Sequence, residues 1–334
     1  MVKLSVLEHG YMKEGFETRD ILKEATELAQ YTESLGYYRF WVSELHGVPV
    51  FSFSSPEVMV AHLASHTSRI RVGSGGIMIP HYSAYKVAEN FRLLEGLYPG
   101  RIDLGIGRST GGMHLANIAL NEQRRMPEYS EQIDDLIGYL YDKIDKNHRF
   151  VGLKAIPQID TVPELWLLGS SSASGKIAAK HGVPYSFAQF FGTHGEEAMY
   201  QYVSRFEPSV VTKTPKGMIA LNVICADTEG EARELAASYE LFTTAGDQIG
   251  VLPSRKTALN YPYTVAQKAY MKSQAHLNIV GNPEQVKEKI IENIETYKVD
   301  EVMIVSPIHD FEARKRSFQL VAEMMKEEKF QNNE

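Results

Sequence analysis

The chain has 334 residues, 43% hydrophobic and 23% charged, with a formal net charge of −7 and a single cysteine, Cys225. This is the composition of a folded globular chain, and it excludes an intrachain disulfide and a thiolate-rich metal site. The acidic balance gives no electrostatic reason to approach nucleic acid or an anionic membrane, and no run of ~18 uncharged apolar residues is present to span a bilayer, so small-molecule chemistry is expected.

Taken in order, short β-rich runs alternate with stretches of helical period. The segment from Met1 to Glu8 enters a strand directly, without a basic flank and cleavage site, which points to a cytoplasmic protein. Eight strands are expected: Leu4 to Leu7, Arg39 to Val42, Ile70 to Gly73, Ile102 to Ile106, Leu165 to Leu168, Pro184 to Ala188, Met218 to Cys225 and Glu301 to Val305. Between the first two, Ile21, Leu22, Ala25, Leu28, Ala29, Thr32 and Leu35 recur at three and four, and Gly36 stops the helix. Val87, Phe91 and Leu94 follow the third strand in the same way; Val286, Ile290 and Ile294 precede the eighth, and Phe318, Val321, Ala322 and Met325 follow it.

Eight βα units predict an α/β chain folded as a TIM (β/α)8 barrel, a single domain over 1–334 with insertions after strands four and seven. The stretches from Ile106 to Leu165 and from Cys225 to Glu301 are far longer than a crossover helix needs. Around Ala245 to Gln274 the second insertion carries Phe242, Tyr261, Tyr263 and Tyr270 nearby, and reads equally as a substrate cover or a surface excursion. The Lys/Glu-rich tail from Lys326 to Glu334 reads as a fraying helix end.

Ligands of such barrels sit where the strands finish, and polar residues gather there. Glu8 and His9 follow strand one; Ser43, Glu44, Leu45 and His46 follow strand two; Gly75 and Gly76 follow strand three; Gly107, Arg108 and Ser109 follow strand four; Ser170 to Ser174 follow strand five. Bare glycine backbone can approach a flat ring closely, and arginine offers a forked cation to phosphate. The serine run opens a helix, whose first N–H groups lack partners, so it reads as an anion site or as N-capping alone, and Arg108 at the neighbouring strand end favours the anion site. No dinucleotide fingerprint, phosphate-binding loop or H-E-x-x-H motif is present, and no metal is expected. His46, close to Glu44, could serve as an acid or base or could be structural.

Several ordered motifs, Trp41 to His46, Ser55 to Val58, Arg69 to Tyr82, Lys86 to Glu89 and Pro99 to Arg108, together resemble the bacterial-luciferase-like flavin monooxygenase family. The likeness is strongest over residues 1–110, returns at Leu165 to Pro184 and at Gly281 to Val305, and is faint in both insertions. It implies a barrel that binds FMN as a reduced co-substrate delivered by a separate flavin reductase. There the flavin reacts with O2 to give a C4a-hydroperoxide that oxygenates a small organic substrate. It also implies homodimers packed through the helices after strands two and three.

By position, Gly75 and Gly76 match a pair joined by a cis peptide under the flavin ring, and Arg108, Ser171 and Ser174 match phosphate contacts. Gly107 stands where the luciferase large subunit has a cysteine, and Ser170 where it has a glutamate. The departure is Leu45: many relatives read Glu-His-His where this chain reads Glu44-Leu45-His46, and the first of those histidines is the proposed base. The resemblance therefore leaves His46, with Glu44, or His9, or a water for proton transfer, and disfavours light-emitting aldehyde oxidation. Two alternatives stay open: hydride transfer from a deazaflavin in the same barrel, and a flavin-binding protein without turnover.

Overall fold

Runs of Val, Ile, Leu and Trp that bury on both faces cannot tolerate a solvated side, so strands made of them close into a cylinder jacketed by helices. The computed structural model describes residues 2–122, 127–192 and 195–326. Its elements are β1 (Lys3–Glu8), α1 (Thr18–Leu35), β2 (Arg39–Val42), α2 (Pro56–His66), β3 (Arg71–Met78), α3 (Ala84–Leu97), β4 (Ile102–Gly107), α4 (His114–Asn121), α5 (Tyr129–Leu140), β5 (Glu164–Gly169) and α6 (Ser172–His181). They continue with β6 (Tyr185–Ala188), α7 (Gly195–Ser204), β7 (Gly217–Cys225), α8 (Glu229–Ile249), α9 (Arg255–Leu259), α10 (Val265–Gln274), β8 (Asn278–Gly281), α11 (Pro283–Tyr297), β9 (Glu301–Val305) and α12 (Phe311–Lys326).

All pairings between these strands are parallel, and the barrel closes through β1 to β7 and β9: β1 pairs with β2 and β9, β9 with β7, and β7 with β6. The eight expected strands are all present. The ninth strand was not expected; β8 lies outside the closed ring, on the far half of β7, with Asn222 opposite Asn278 and Cys225 opposite Gly281. The expected tail from Lys326 to Glu334 lies outside the described residues beyond Lys326, which ends α12.

Helix α1 illustrates the jacket. Ile21, Ala25, Leu28, Ala29 and Thr32 form its buried face, a reciprocal Glu17/Asp20 cap opens it, and Gly36 closes it at a φ of 89°.

Two layers fill the barrel. Near the strand starts, Arg39 places Nε 2.6 Å from Glu301 and Nη1 2.8 Å from Asp103, and the Trp41 indole N–H donates to Asp103 at 2.8 Å. Above them Leu7, Trp41, Trp166, Met218, Ala220 and Met303 pack as an apolar layer. The charged plug closes one end, and the apolar layer supports the other, where the strands finish.

The second insertion is tied down at its start, because Leu252 donates its N–H to Met12 O at 2.8 Å and accepts from Glu14 N at 3.0 Å. Further on, α10 buries no residue. Phe242 reaches the barrel mouth, its ring 5.6 Å from Tyr11, whereas Tyr261 and Tyr263 pack on each other at 4.9 Å and Tyr270 is exposed.

Candidate functional site

Above the apolar layer lies a cavity of about 360 Å³, and it brings together His9, Gly75, Gly76, Gly107, Arg108, Ser170, Ser171 and Ser174. Its floor is bare backbone. The Gly75–Gly76 peptide is cis. A Cβ on Gly76 would stand 2.7 Å from Gly105 O, and one on Gly75 would stand 2.7 Å from Leu7 Cδ1. Gly107 differs, since a Cβ there would meet nothing within 4 Å, so its lack of a side chain leaves room in the cavity.

One end gathers a cation and hydroxyl groups. Arg108 is exposed and makes no hydrogen bond or ion pair among the described residues. Beside it, Ser171 caps α6: Ser174 N approaches Ser171 Oγ at 3.4 Å, and Ser174 Oγ donates to Ser171 O at 2.6 Å. Ser171 Oγ accepts in this cap and has only a long contact, 3.5 Å to Ser174 Oγ, for its own hydrogen, and the first helical N–H groups lack intrahelical acceptors. The structure shows the cap, and the cap does not occupy the donors that an anion would need.

Two tyrosines at this end were not singled out from the sequence. Tyr185 places its hydroxyl 2.9 Å from Ser174 Oγ. Tyr129 buries a hydroxyl that has no hydrogen-bond partner among the described residues; burial raises its pKa, while the nearby charge of Arg108 pulls the other way. Tyr185 opens β6, so a search of the residues that follow each strand passes over it. Tyr129 arrives on α5, which no local pattern connects to the cavity.

The other side is aromatic. The His9 ring lies 5.5 Å from Tyr11, 5.9 Å from Phe190 and 6.3 Å from Phe51. Burial, opposed by Glu8 and reinforced by Arg314, lowers the His9 pKa to about 4, and its Nδ1 has no partner among the described residues. Neutral imidazole is therefore the form that faces the cavity near neutrality. Below pH 6.5 the unfolded imidazole binds a proton that the folded one refuses until about pH 4, so this group's contribution to stability is lost as pH falls through that window. The expected loss is about 2 kcal/mol between pH 8 and pH 5. Urea unfolding at both pH values should show that His9→Phe retains this amount; an unchanged pH dependence would contradict it.

Glu44 and His46 do not line the cavity. Glu44 is buried and fully engaged, accepting from Met78 N at 3.0 Å and from the Tyr82 hydroxyl at 2.7 Å, with His46 Nε2 at 2.7 Å. Beyond the end of β2 the chain no longer alternates, and these hydrogen bonds draw both side chains behind Met78, which itself lines the cavity. Among the described residues no group of three or more His, Cys, Asp or Glu side chains is placed to hold a metal, and no helix is long and apolar enough to cross a membrane.

Comparison with known proteins agrees with this geometry. Residues 7–300 match the protein family described as luciferase-like monooxygenase. YwcH of Bacillus subtilis (strain 168) is 46% identical over 97% of this chain and 99% of its own length. The N-acetyl-S-alkylcysteine monooxygenase of the same strain is 35% identical over 97% of this chain and 98% of its own. The crystal structure of apo-MsnO8 superposes with a TM-score of 0.88 at 34% identity, covering 97% of this chain and 98% of that one. The oxygenating constituent of 3,6-diketocamphane monooxygenase from Pseudomonas putida, solved in complex with FMN, shares the fold at 18% identity and a TM-score of 0.71, over 96% of each chain.

Proposed function

This chain belongs to the luciferase-like monooxygenase family, and from that premise we propose that it is a monooxygenase using reduced FMN, delivered by a separate flavin reductase, to oxygenate a small organic substrate. One observation carries the cofactor: Arg108 has no anionic partner among the described residues, yet shares a cavity with a hydroxyl-capped helix start and a glycine floor. That is a fit for a planar ring with a phosphate tail.

Reduced flavin, when bound, supplies the electrons that activate O2 for transfer of one oxygen atom to the substrate. The chain's own residues bind and exclude. Arg108, Ser171 and the α6 terminus would hold the phosphate, Gly75 and Gly76 would let the ring approach the strand ends, and Leu7, Ala220 and Met303 would help keep water out of the cavity. His9, neutral and with Nδ1 unpartnered among the described residues, would accept a proton or hydrogen bond from the substrate side.

The 35% identical relative suggests the first substrate to offer, an N-acetyl-S-alkylcysteine. A thioether sulfur is suited to the ring edges of Phe190 and Phe51 around His9. The protein is further proposed to act as a homodimer in the cytoplasm, with Val58 of α2 and Leu93 of α3 exposed on the packing face.

Protein mixed with FMN, a flavin reductase and NADH in air should slow the reoxidation of reduced FMN relative to free flavin. Reoxidation at the free-flavin rate would contradict the assignment.

A further inference from the structure

Resting on the assignment of Arg108 to the phosphate, we infer that His81 is a positioning residue for the anionic end of the cavity. Arg108 and Ser109 sit on the loop between β4 and α4, and both are exposed. A cation on a wandering loop spends its binding energy on being ordered, so affinity depends on what fixes the backbone beforehand.

His81 supplies that constraint without touching the cavity. It is buried at 2% exposure on the short turn after β3, and its Nε2 lies 2.7 Å from Thr110 O, two residues beyond Arg108. A carbonyl can only accept, so Nε2 carries the hydrogen, and Nδ1 is left to accept from Asn121 Nδ2 at 2.9 Å. The Asn121 amide is itself oriented by Asn117 O at 2.8 Å, and Asn117 Nδ2 reaches the Thr110 hydroxyl at 3.3 Å. Across the loop, Met113 N donates to His46 O at 3.1 Å.

Thr110 is thus gripped through both its carbonyl and its hydroxyl. The carbonyl is held from the turn that directly follows β3, the strand that carries Gly75 and Gly76, and the hydroxyl is held from α4. The glycine floor and the loop that bears Arg108 are thereby tied to one another through His81.

The test is titration of the full chain with FMN and with riboflavin, which lacks the phosphate, followed by flavin fluorescence. The wild-type protein should prefer FMN by about tenfold or more, and Arg108→Ala should abolish the preference. His81→Phe, which keeps the ring and removes the donor, should weaken FMN about five- to tenfold while leaving riboflavin within about twofold. His81→Gln, whose amide N–H can donate to Thr110 O, should restore much of the loss. Asn121→Ala should act in the same direction as His81→Phe and decides the matter should that variant not fold. A wild-type preference retained in both variants, with Arg108→Ala still losing it, would overturn the role of His81 alone. Equal weakening of both flavins would make His81 a packing residue and also overturn it. A wild-type protein indifferent to the phosphate would overturn the Arg108 assignment, and this inference with it.

Discussion

Arg39→Met is expected to destabilise the protein by about 3 to 5 kcal/mol, because it leaves buried carboxylates without their cation. Asp103 and Glu301 are both almost fully buried, each within 2.8 Å of the guanidinium, and Glu164 stands 3.6 Å from it. Arg71 covers the far oxygen of Asp103, and Lys216 pairs with Glu164, but neither reaches Glu301. Arg39→Lys should recover only part of the loss, since an ammonium cannot face both carboxylates with a planar fork.

The pH dependence gives a second sign. Burial raises the Glu164 pKa, but Arg39, Lys216 and Arg71 outweigh it and bring the value from 4.5 down to about 2. A carboxyl held low stabilises the fold above its unfolded pKa and loses that contribution as pH falls toward the folded value. The deficit of Arg39→Met measured in urea should therefore be largest near neutrality and shrink below about pH 4.5. A loss under about 1 kcal/mol, or one that grows in acid, would show that the plug is not held by this arginine.

Arg108→Ala is expected to weaken FMN binding by about 1.5 to 3 kcal/mol, through loss of a charge-assisted hydrogen-bonding partner, without changing the unfolding midpoint of the ligand-free protein. The second half follows from the structure, since Arg108 makes no hydrogen bond or ion pair among the described residues and its removal frees no partner. Isothermal titration and urea unfolding on one preparation check both halves. Unchanged affinity would remove Arg108 from the site, and a lowered midpoint would mean that it holds the fold.

The barrel was legible because its strands are continuous apolar runs, and both faces of such a run must be covered. β8 was not: Asn278–Gly281 is short and none of its residues but Gly281 is fully buried, so it carries no such run. β3 was expected to stop at Gly73, because glycine weakens a strand signal, yet it continues to Met78 through the glycines that floor the cavity. The site followed the same division. Residues expected at strand ends, Gly75, Arg108 and the run from Ser170 among them, do line one cavity. Side chains beyond the last paired residue escaped, since alternation ends with the strand: Glu44 and His46 turn behind Met78 under the pull of Tyr82 and the Met78 N–H. Tyr129 escaped because its approach to Arg108 is decided by the packing of α5.

The most direct measurement is a crystal structure of the protein grown with FMN. The account predicts the ring lying over Gly75 and Gly76, with the phosphate within hydrogen-bonding distance of Arg108 and Ser171. FMN bound elsewhere, or in this cavity with its phosphate turned away from Arg108 into solvent, would contradict it.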